Sequence, residues 1–198
     1  FPDIVYFWNK NEGFTLGDAD NLGYIEIYTT QNGGVNWTRV PQTDIDANMA
    51  YSVNTLSILS VYQDTVWVSG NNGLIFRSSD KGHTWEAFQT PVTTQSTLLF
   101  INGMEGILSP IGGQDQYFTK DGGESWTMIE WQHEIRSNYQ HFSQIPGTNY
   151  IALSNNDELY FSNDLGNTWL NADILLPQIY DLQAVNGKVL WAGGSLDR

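Results

Sequence analysis

The 198 residues carry 8 Lys and Arg against 22 Asp and Glu, a formal net charge of −14, and 40% of them are hydrophobic and 14% aromatic. This apolar content excludes a disordered chain, and the missing basic footprint argues against binding nucleic acid or an anionic membrane surface. The absence of cysteine excludes disulfides, thiolate metal sites and a cysteine nucleophile.

The first forty residues alternate short strand signals with turns. Segments 4–8, 13–17 and 25–28 are rich in β-branched and aromatic residues, which favours strands. An octapeptide follows at 30–37, and a brief outer strand is predicted over 37–40. The same order returns along the chain, with strands predicted over 56–62, 66–69, 74–76, 117–118 and 159–161. No segment has a long 3.6-residue period, so we predict an all-β protein.

The octapeptide, which we call the box, occurs four times in the form Ser/Thr-x-Asp-x-Gly-x-Ser/Thr-Trp. Its copies recur every 40 to 50 residues or so, the period of a four-stranded propeller blade. The first copy departs from the pattern, with Asn in place of Asp and of the second Ser/Thr. The defining residues are Thr30, Asn32, Gly34 and Trp37; Ser78, Asp80, Gly82 and Trp85; Thr119, Asp121, Gly123 and Trp126; and Ser162, Asp164, Gly166 and Trp169.

Each box has a structural interpretation. The aspartate of a tight turn can accept hydrogen bonds from backbone N–H groups and from the Ser/Thr hydroxyl. The glycine supplies the positive φ that a hairpin needs, and the tryptophan folds back over the turn. We therefore expect Asp80, Asp121 and Asp164 to be structural. We expect Asn32 to keep a weakened form of the first turn.

The repeat divides the chain into blades at about 2–40, 51–88, 96–129 and 138–172, with a partial fifth blade at 180–198. Propellers close rings of four to eight blades, and a blade with an open strand edge is unstable. We therefore expect one propeller domain, or a fragment that belongs to a ring of six to eight blades.

The boxes resemble those of the Asp-box (BNR) superfamily over essentially the whole chain. Within it, segments 7–18 and 26–34 are similar to propellers of the photosystem II assembly factor type in secreted Bacteroidetes proteins; sortilin-type receptors belong to the same superfamily. The resemblance implies secretion or display at the bacterial cell surface, with type IX secretion as the route. It also places the boxes away from the face that is catalytic in sialidases.

Catalysis has little support in the sequence. The arginine clamp of a sialidase is not evident among Arg39, Arg77, Arg136 and Arg198. Glycoside hydrolysis needs two carboxylates about 5–10 Å apart, and no pair here carries a distinguishing motif. The carboxylates expected at the ends opposite the boxes are Asp18, Asp20, Asp44, Asp46, Asp115, Glu130, Glu134, Asp157 and Asp173.

One cluster is denser in chemically useful side chains: Trp131, His133, Glu134, Arg136 and Tyr139. An aromatic platform beside polar groups suits sugar or peptide recognition. The alternative is that Trp131 packs between blades while the charged side chains stay solvated. His133 and His141 have no third ligand in view, so no zinc site is predicted.

We therefore expect a non-catalytic binding or adhesion propeller that recognises a glycan, a peptide or a partner protein. The first alternative is a glycoside hydrolase of the xyloglucanase or sialidase-like class. The second is an assembly chaperone like the photosystem factor, which we disfavour because the basic patch that such factors use for their partners is missing here. No cofactor, metal or nucleic-acid partner is predicted. Since no stretch approaches 18 consecutive apolar residues, no membrane insertion is predicted either.

Overall fold

The computed structural model describes residues 2–21, 24–47, 59–113, 115–130, 140–155, 158–175, 179–186 and 189–194. The chain forms two compact units, Phe1–Gln95 and Ser96–Arg198. The regular elements of the described residues are strands, apart from two 3₁₀ turns at Gln42–Asp44 and Asn71–Gly73. The predicted all-β class is confirmed.

The first unit contains two antiparallel four-stranded sheets, each with its strands in sequence order. Blade one consists of β1 (Pro2–Phe7), β2 (Gly13–Ala19), β3 (Ile25–Thr30) and β4 (Thr38–Arg39). Blade two consists of β5 (Leu59–Tyr62), β6 (Thr65–Ser69), β7 (Leu74–Ser78) and β8 (Glu86–Gln89). The first residues of the strand predicted over 56–62 lie outside the described residues.

The second unit contains two more such sheets and a hairpin. Blade three consists of β9 (Ser96–Phe100), β10 (Gly106–Pro110), β11 (Gln116–Thr119) and β12 (Thr127–Ile129). Blade four consists of β13 (Gln140–Gln144), β14 (Ile151–Asn155), β15 (Glu158–Ser162) and β16 (Leu170–Leu175). The hairpin pairs β17 (Ile179–Asn186) with β18 (Val189–Gly194).

The core of the first unit lies between its two sheets. Alternate residues of a strand point to opposite faces of the sheet, and in blade one Phe14, Leu16 and Ile27 are fully buried on one face. They form one apolar cluster with Val66 and Phe76 of blade two. Hydrophobic burial between facing sheets therefore holds these two blades together.

Each blade has two ends, which organise its candidate sites. The turn between the first and second strands and the box between the third and fourth lie at the same end, here called the box end. The loop between the second and third strands and the segment that leaves the fourth lie at the other, the far end. This follows from the antiparallel order of the four strands.

Candidate functional site

The second box is a closed network of hydrogen bonds around Asp80. One oxygen, Oδ1, accepts from Ser78 Oγ at 2.8 Å and from the backbone N–H groups of His83 and Thr84 at 3.0 and 2.8 Å. The other, Oδ2, accepts from the Thr84 hydroxyl at 2.7 Å. The Ser78 hydroxyl oxygen in turn accepts from Gly82 N–H at 2.8 Å. These bonds occupy the carboxylate within its own turn.

The third and fourth boxes repeat this network. Asp121 accepts from Thr119 and from the backbone and hydroxyl of Ser125. Asp164 accepts in the same way from Ser162 and Thr168. Burial by itself would raise the pKa of each box aspartate, but the hydrogen bonds outweigh it and lower the pKa of all three. The box aspartates are thus held as carboxylates, which makes them unsuited to act as general acids near neutral pH.

The first box keeps part of this network with an amide. Asn32 Oδ1 accepts from Thr30 Oγ1 at 3.1 Å and from Asn36 N–H at 2.9 Å. The amide NH₂ stands where Asp80 has its second oxygen, and it cannot accept a hydrogen bond.

Each box glycine lies beneath its tryptophan. Gly82 has φ of +82° and Gly166 has φ of +80°, in the left-handed region that favours glycine. The Trp85 side chain is buried, and its Nε1 donates to Gly82 O at 2.9 Å. A Cβ on Gly166 would stand 2.5 Å from Ile107 Cδ1 and 3.2 Å from the Trp169 ring. There is therefore no room for a side chain at Gly166.

A second recurring turn joins the first two strands of blades one and three. Asn102 Oδ1 accepts from the N–H groups of Met104 and Glu105, both at 2.8 Å, while its Nδ2 donates to Glu105 Oε2 at 2.8 Å. Asn9 and Glu12 make the equivalent bonds in blade one. The signal that sequence reasoning missed is the pattern Asn-x-x-Glu-Gly, present at 9–13 and again two blades later at 102–106.

This turn is tied to the box of its own blade. Gly33 N–H donates to Asn11 O at 2.9 Å in blade one, and Gly122 N–H donates to Met104 O at 2.8 Å in blade three. The two turns at the box end therefore support each other through backbone bonds, which makes this end of the blade a rigid scaffold.

An ion pair links the box ends of blades one and two. Lys81 Nζ lies 2.9 Å from Glu12 Oε2 and 3.7 Å from Asp64 Oδ1. The hydrogen bond that Lys81 donates to Glu12 lowers the pKa of Glu12 and raises that of Lys81. Lys81 has φ of +59° in the box turn, so this strained backbone position is also the one that reaches the neighbouring blade.

The far ends carry most of the carboxylates that the sequence nominated. Asp18 is the next-to-last residue of β2 in blade one, Asp115 and Glu130 lie at the far end of blade three, and Asp173 lies near the end of β16. All four are exposed. Glu134 and Asp157 lie outside the described residues.

The prediction for Asp44 and Asp46 is wrong. Trp85 N–H donates to Asp44 O at 2.8 Å, and Asp46 N–H donates to Trp85 O at 3.0 Å. The intervening Ile45 is buried and pairs with Trp85 in a parallel bridge. The segment after the outer strand therefore returns to the box end of blade two, because burying Ile45 beside Trp85 removes apolar surface from water.

An ionic cluster surrounds Arg39 in blade one. Its Nη2 lies 3.0 Å from Asp20 Oδ2 and 3.2 Å from Glu26 Oε1. Glu26 also accepts from the Tyr28 hydroxyl at 2.9 Å, and this hydrogen bond raises the pKa of Tyr28. Arg77, the other arginine within the described ranges, is paired with Glu86 at 2.9 Å.

A pocket of about 420 Å³ lies on the same face of blade one. We call this surface the Tyr28 face and the buried surface on the other side of the sheet the Phe14 face. The pocket is lined by Val5, Thr15, Gly17, Asp18, Glu26, Tyr28 and Trp37.

The predicted ligand-binding residues Trp131, His133, Glu134, Arg136 and Tyr139 all lie outside the described residues. Among the residues that the structure does describe, no group of three or more His, Asp or Glu is placed to hold a metal ion. Within the same ranges, no helix is long and apolar enough to cross a membrane.

One family matches most of the chain. The family model described as "Photosynthesis system II assembly factor YCF48" matches residues 1–173. No curated protein matches the sequence significantly.

Solved structures share the fold at low sequence identity. YCF48 bound to D1 peptide superposes with a TM-score of 0.64 at 12% identity, over 96% of this chain and 58% of that one. YCF48 from Cyanidioschyzon merolae gives 0.61 at 16% identity, over 95% and 62%. The GH74 enzyme of Niastella koreensis gives 0.52 at 15% identity, over 82% and 22%.

These matches confirm the predicted β-propeller fold, and this chain spans about three-fifths of the length of the YCF48 structures.

Proposed function

Because this chain belongs to the family of the photosynthesis system II assembly factor YCF48, we propose that it is a non-catalytic binding propeller whose ligand is a peptide segment of a partner protein. The observation that carries the proposal is the family match over residues 1–173, together with a solved YCF48 that binds the D1 peptide. The first assigns the chain to this family, and the second is a propeller of the family with a peptide bound.

The hydrogen bonding of the boxes removes three carboxylates from the candidates for a hydrolytic acid. Asp80, Asp121 and Asp164 are each used inside their own turns, and their lowered pKa values keep them ionised. A glycosidase needs one carboxyl group with a raised pKa as its acid. The likeness to the GH74 enzyme concerns the fold alone.

The distribution of charge suggests the chemistry of the peptide. Lys10, Lys81 and Lys120 all lie in box-end turns, whereas Asp115 and Glu130 are exposed at the far end of their blade. An acidic surface attracts cationic segments and repels anionic ones. We therefore expect the far ends to bind a neutral or basic peptide.

A peptide screen with matched variants tests this proposal. An array of peptides graded from acidic to basic is probed with the protein, and the best binders are measured by calorimetry at two salt concentrations. The test variant is Asp115→Asn with Glu130→Gln, both at the far end of blade three. The control is Glu124→Gln, an exposed carboxylate at the box end of the same blade.

Since an exposed charge pair contributes about 0.2–1 kcal/mol, the loss of two should weaken binding of a basic peptide by about twofold to thirtyfold, and more at low salt. The control should change it by less than about twofold. A preference for acidic peptides, or equal losses in the two variants, would contradict the proposal. Reducing sugar released from xyloglucan by the same protein would favour the hydrolase instead, and retention on a glycan array alone would favour a sugar ligand.

The resemblance of segments 7–18 and 26–34 to secreted Bacteroidetes propellers supports a location outside the cytoplasm. We propose that the protein works outside the cytoplasm, where a low content of charged residues, 15%, and a net charge of −14 suit a soluble exported domain. Fractionation of the source cells with an antibody to this chain tests it, and recovery in the cytoplasm alone would refute it.

A further inference from the structure

The Tyr28 face of blade one exposes large apolar side chains. Val5 is 56% exposed and Phe7 is 38% exposed, and Phe7 lies edge-on to Trp37 with 5.9 Å between the ring centroids. Val5, Tyr28 and Trp37 also line the pocket described above. An exposed apolar sheet face of this kind marks a surface that something covers.

The register of the strands identifies the equivalent face of blade two. In blade one, Val5 pairs with Thr15 and Thr15 pairs with Tyr28. In blade two, Leu59 pairs with Val68 and Val68 pairs with Phe76. Tyr28 and Phe76 each lie two positions before the first residue of their box. The Tyr28 face of blade one therefore corresponds, strand for strand, to the Phe76 face of blade two.

That equivalent face is a contact between blades. Val68, Phe76 and Trp85 of blade two are buried in one cluster with the Phe14 face of blade one. The rings of Phe14 and Trp85 are 5.6 Å apart. Between blades one and two, then, the Tyr28-type face of the later blade packs on the Phe14-type face of the earlier one.

Blades three and four repeat this arrangement within the second unit. Ile151, Phe142 and Trp169 of blade four share a cluster with Ile107 and Ile129 of blade three. The residues in this cluster that blade four contributes lie on its Tyr28-type face, since Phe142 pairs with Leu153 and Leu153 with Tyr160.

The polar groups on the Tyr28 face are compatible with such a contact. Blade four has Glu158 and Tyr160 at the positions of Glu26 and Tyr28, and Tyr160 donates to Glu158 at 2.6 Å as Tyr28 donates to Glu26 at 2.9 Å. A hydrogen-bonded Glu–Tyr pair therefore already stands on a face that packs against another blade. Such a pair is not by itself the mark of a ligand site.

We propose that the Tyr28 face of blade one is a blade-docking surface, covered by the Phe14-type face of a further blade that the same polypeptide supplies from outside these 198 residues. The pocket of about 420 Å³ is then a gap that apolar side chains of that blade fill. The lengths of the YCF48 structures are consistent with a further blade, because this chain spans only 58% and 62% of them. This role of the Tyr28 face does not depend on peptide binding at the far ends.

Cysteine labelling tests the proposal, because the chain has no cysteine of its own. Val5→Cys places a thiol on the Tyr28 face, and Val35→Cys, at a position 79% exposed in the first box turn, is the matched control. Each variant is made in the 198-residue chain and in the polypeptide extended by the residues that flank it in its gene. Labelling rates with a maleimide are compared at several protein concentrations.

We expect Val5→Cys to react at least about tenfold more slowly in the extended polypeptide than in the 198-residue chain, with Val35→Cys reacting equally in both. Equal rates for Val5→Cys would overturn the proposal and leave the pocket open to a ligand. Protection of Val5→Cys in the 198-residue chain that grows with concentration would also overturn it, in favour of a second copy. A gene that encodes no further blade would do the same.

Discussion

Replacing Asp80 by Asn removes one oxygen from the most completely bonded turn of the first unit. Asn retains the Oδ1 that accepts from Ser78, His83 and Thr84, but it loses the acceptor for the Thr84 hydroxyl. A hydrogen bond to a charged group contributes about 1.5–3 kcal/mol net. Because Thr84 is exposed and water can replace the lost partner, we take the lower end, about 1.5 kcal/mol. Asp80→Ala removes all four bonds, and we expect a loss of about 3 kcal/mol.

The measurement is urea unfolding at pH 7, followed by tryptophan fluorescence, which the eight tryptophans make sensitive. Removing one negative charge from a chain of net charge −14 is itself favourable, so the control is Asp115→Asn, which makes the same charge change at an exposed position. We expect the control to stay within about 0.5 kcal/mol of the unsubstituted protein.

The pH dependence supplies a second check. The pKa of Asp80 is lowered in the folded protein, so its contribution is complete above its unfolded pKa of about 3.9 and is lost as the pH falls through the folded value. The gap in stability between Asp80→Asn and the unsubstituted protein should therefore narrow below about pH 4. If Asp80→Asn is as stable as Asp115→Asn at pH 7, or if the gap widens in acid, the reasoning about the box is refuted.

Two further substitutions test the packing of the box end. Gly166→Ala places a methyl group 2.5 Å from Ile107 Cδ1 at φ of +80°, while Gly147→Ala at φ of +77° meets nothing within 4 Å. We expect the free energy of unfolding in urea to fall by about 3 kcal/mol for Gly166→Ala and by about 1 kcal/mol for Gly147→Ala. The second variant has the cost of the left-handed backbone without the clash. Equal losses would show that contact with Ile107 does not matter. Asn102→Ala removes two accepted hydrogen bonds and one donated to Glu105 and should cost about 1–2 kcal/mol, as helix-capping side chains do. Asn102→Asp keeps the acceptor oxygen but places its carboxylate against that of Glu105, so its stability should lie between those of the unsubstituted protein and Asn102→Ala. If Asn102→Ala is as stable as the unsubstituted protein, this turn does not stabilise the box end.

The all-β class and the propeller fold could be predicted from the sequence because their signals are local. The hydrogen bonds that the carboxylates of Asp80, Asp121 and Asp164 accept in the boxes join residues no more than four positions apart. Such a motif is readable wherever it occurs, and its repetition sets the blade period. The Asn-x-x-Glu-Gly turn is just as local, but its two copies lie two blades apart and therefore do not mark the blade period.

Other features of the site depend on which strands face each other. Lys81 reaches Glu12, 69 positions away, and nothing in either segment specifies that partner. The sequence predicts Asp44 and Asp46 at a far end, yet the burial of Ile45 beside Trp85 brings them to a box end. The path of a segment that connects two blades depends on the apolar surface that it can bury. The order of the strands in the chain does not reveal where that surface lies.

By itself, the sequence determined the four box turns, the class of the fold and the excess of carboxylates over lysines. These properties reside in composition or in contacts within eight consecutive residues. The tertiary structure alone decided which face of a blade packs on which, and so distinguished the buried Phe14 face from the exposed Tyr28 face of the same four strands. The physical reason is that burial belongs to a pair of surfaces, and the second surface is remote in the chain.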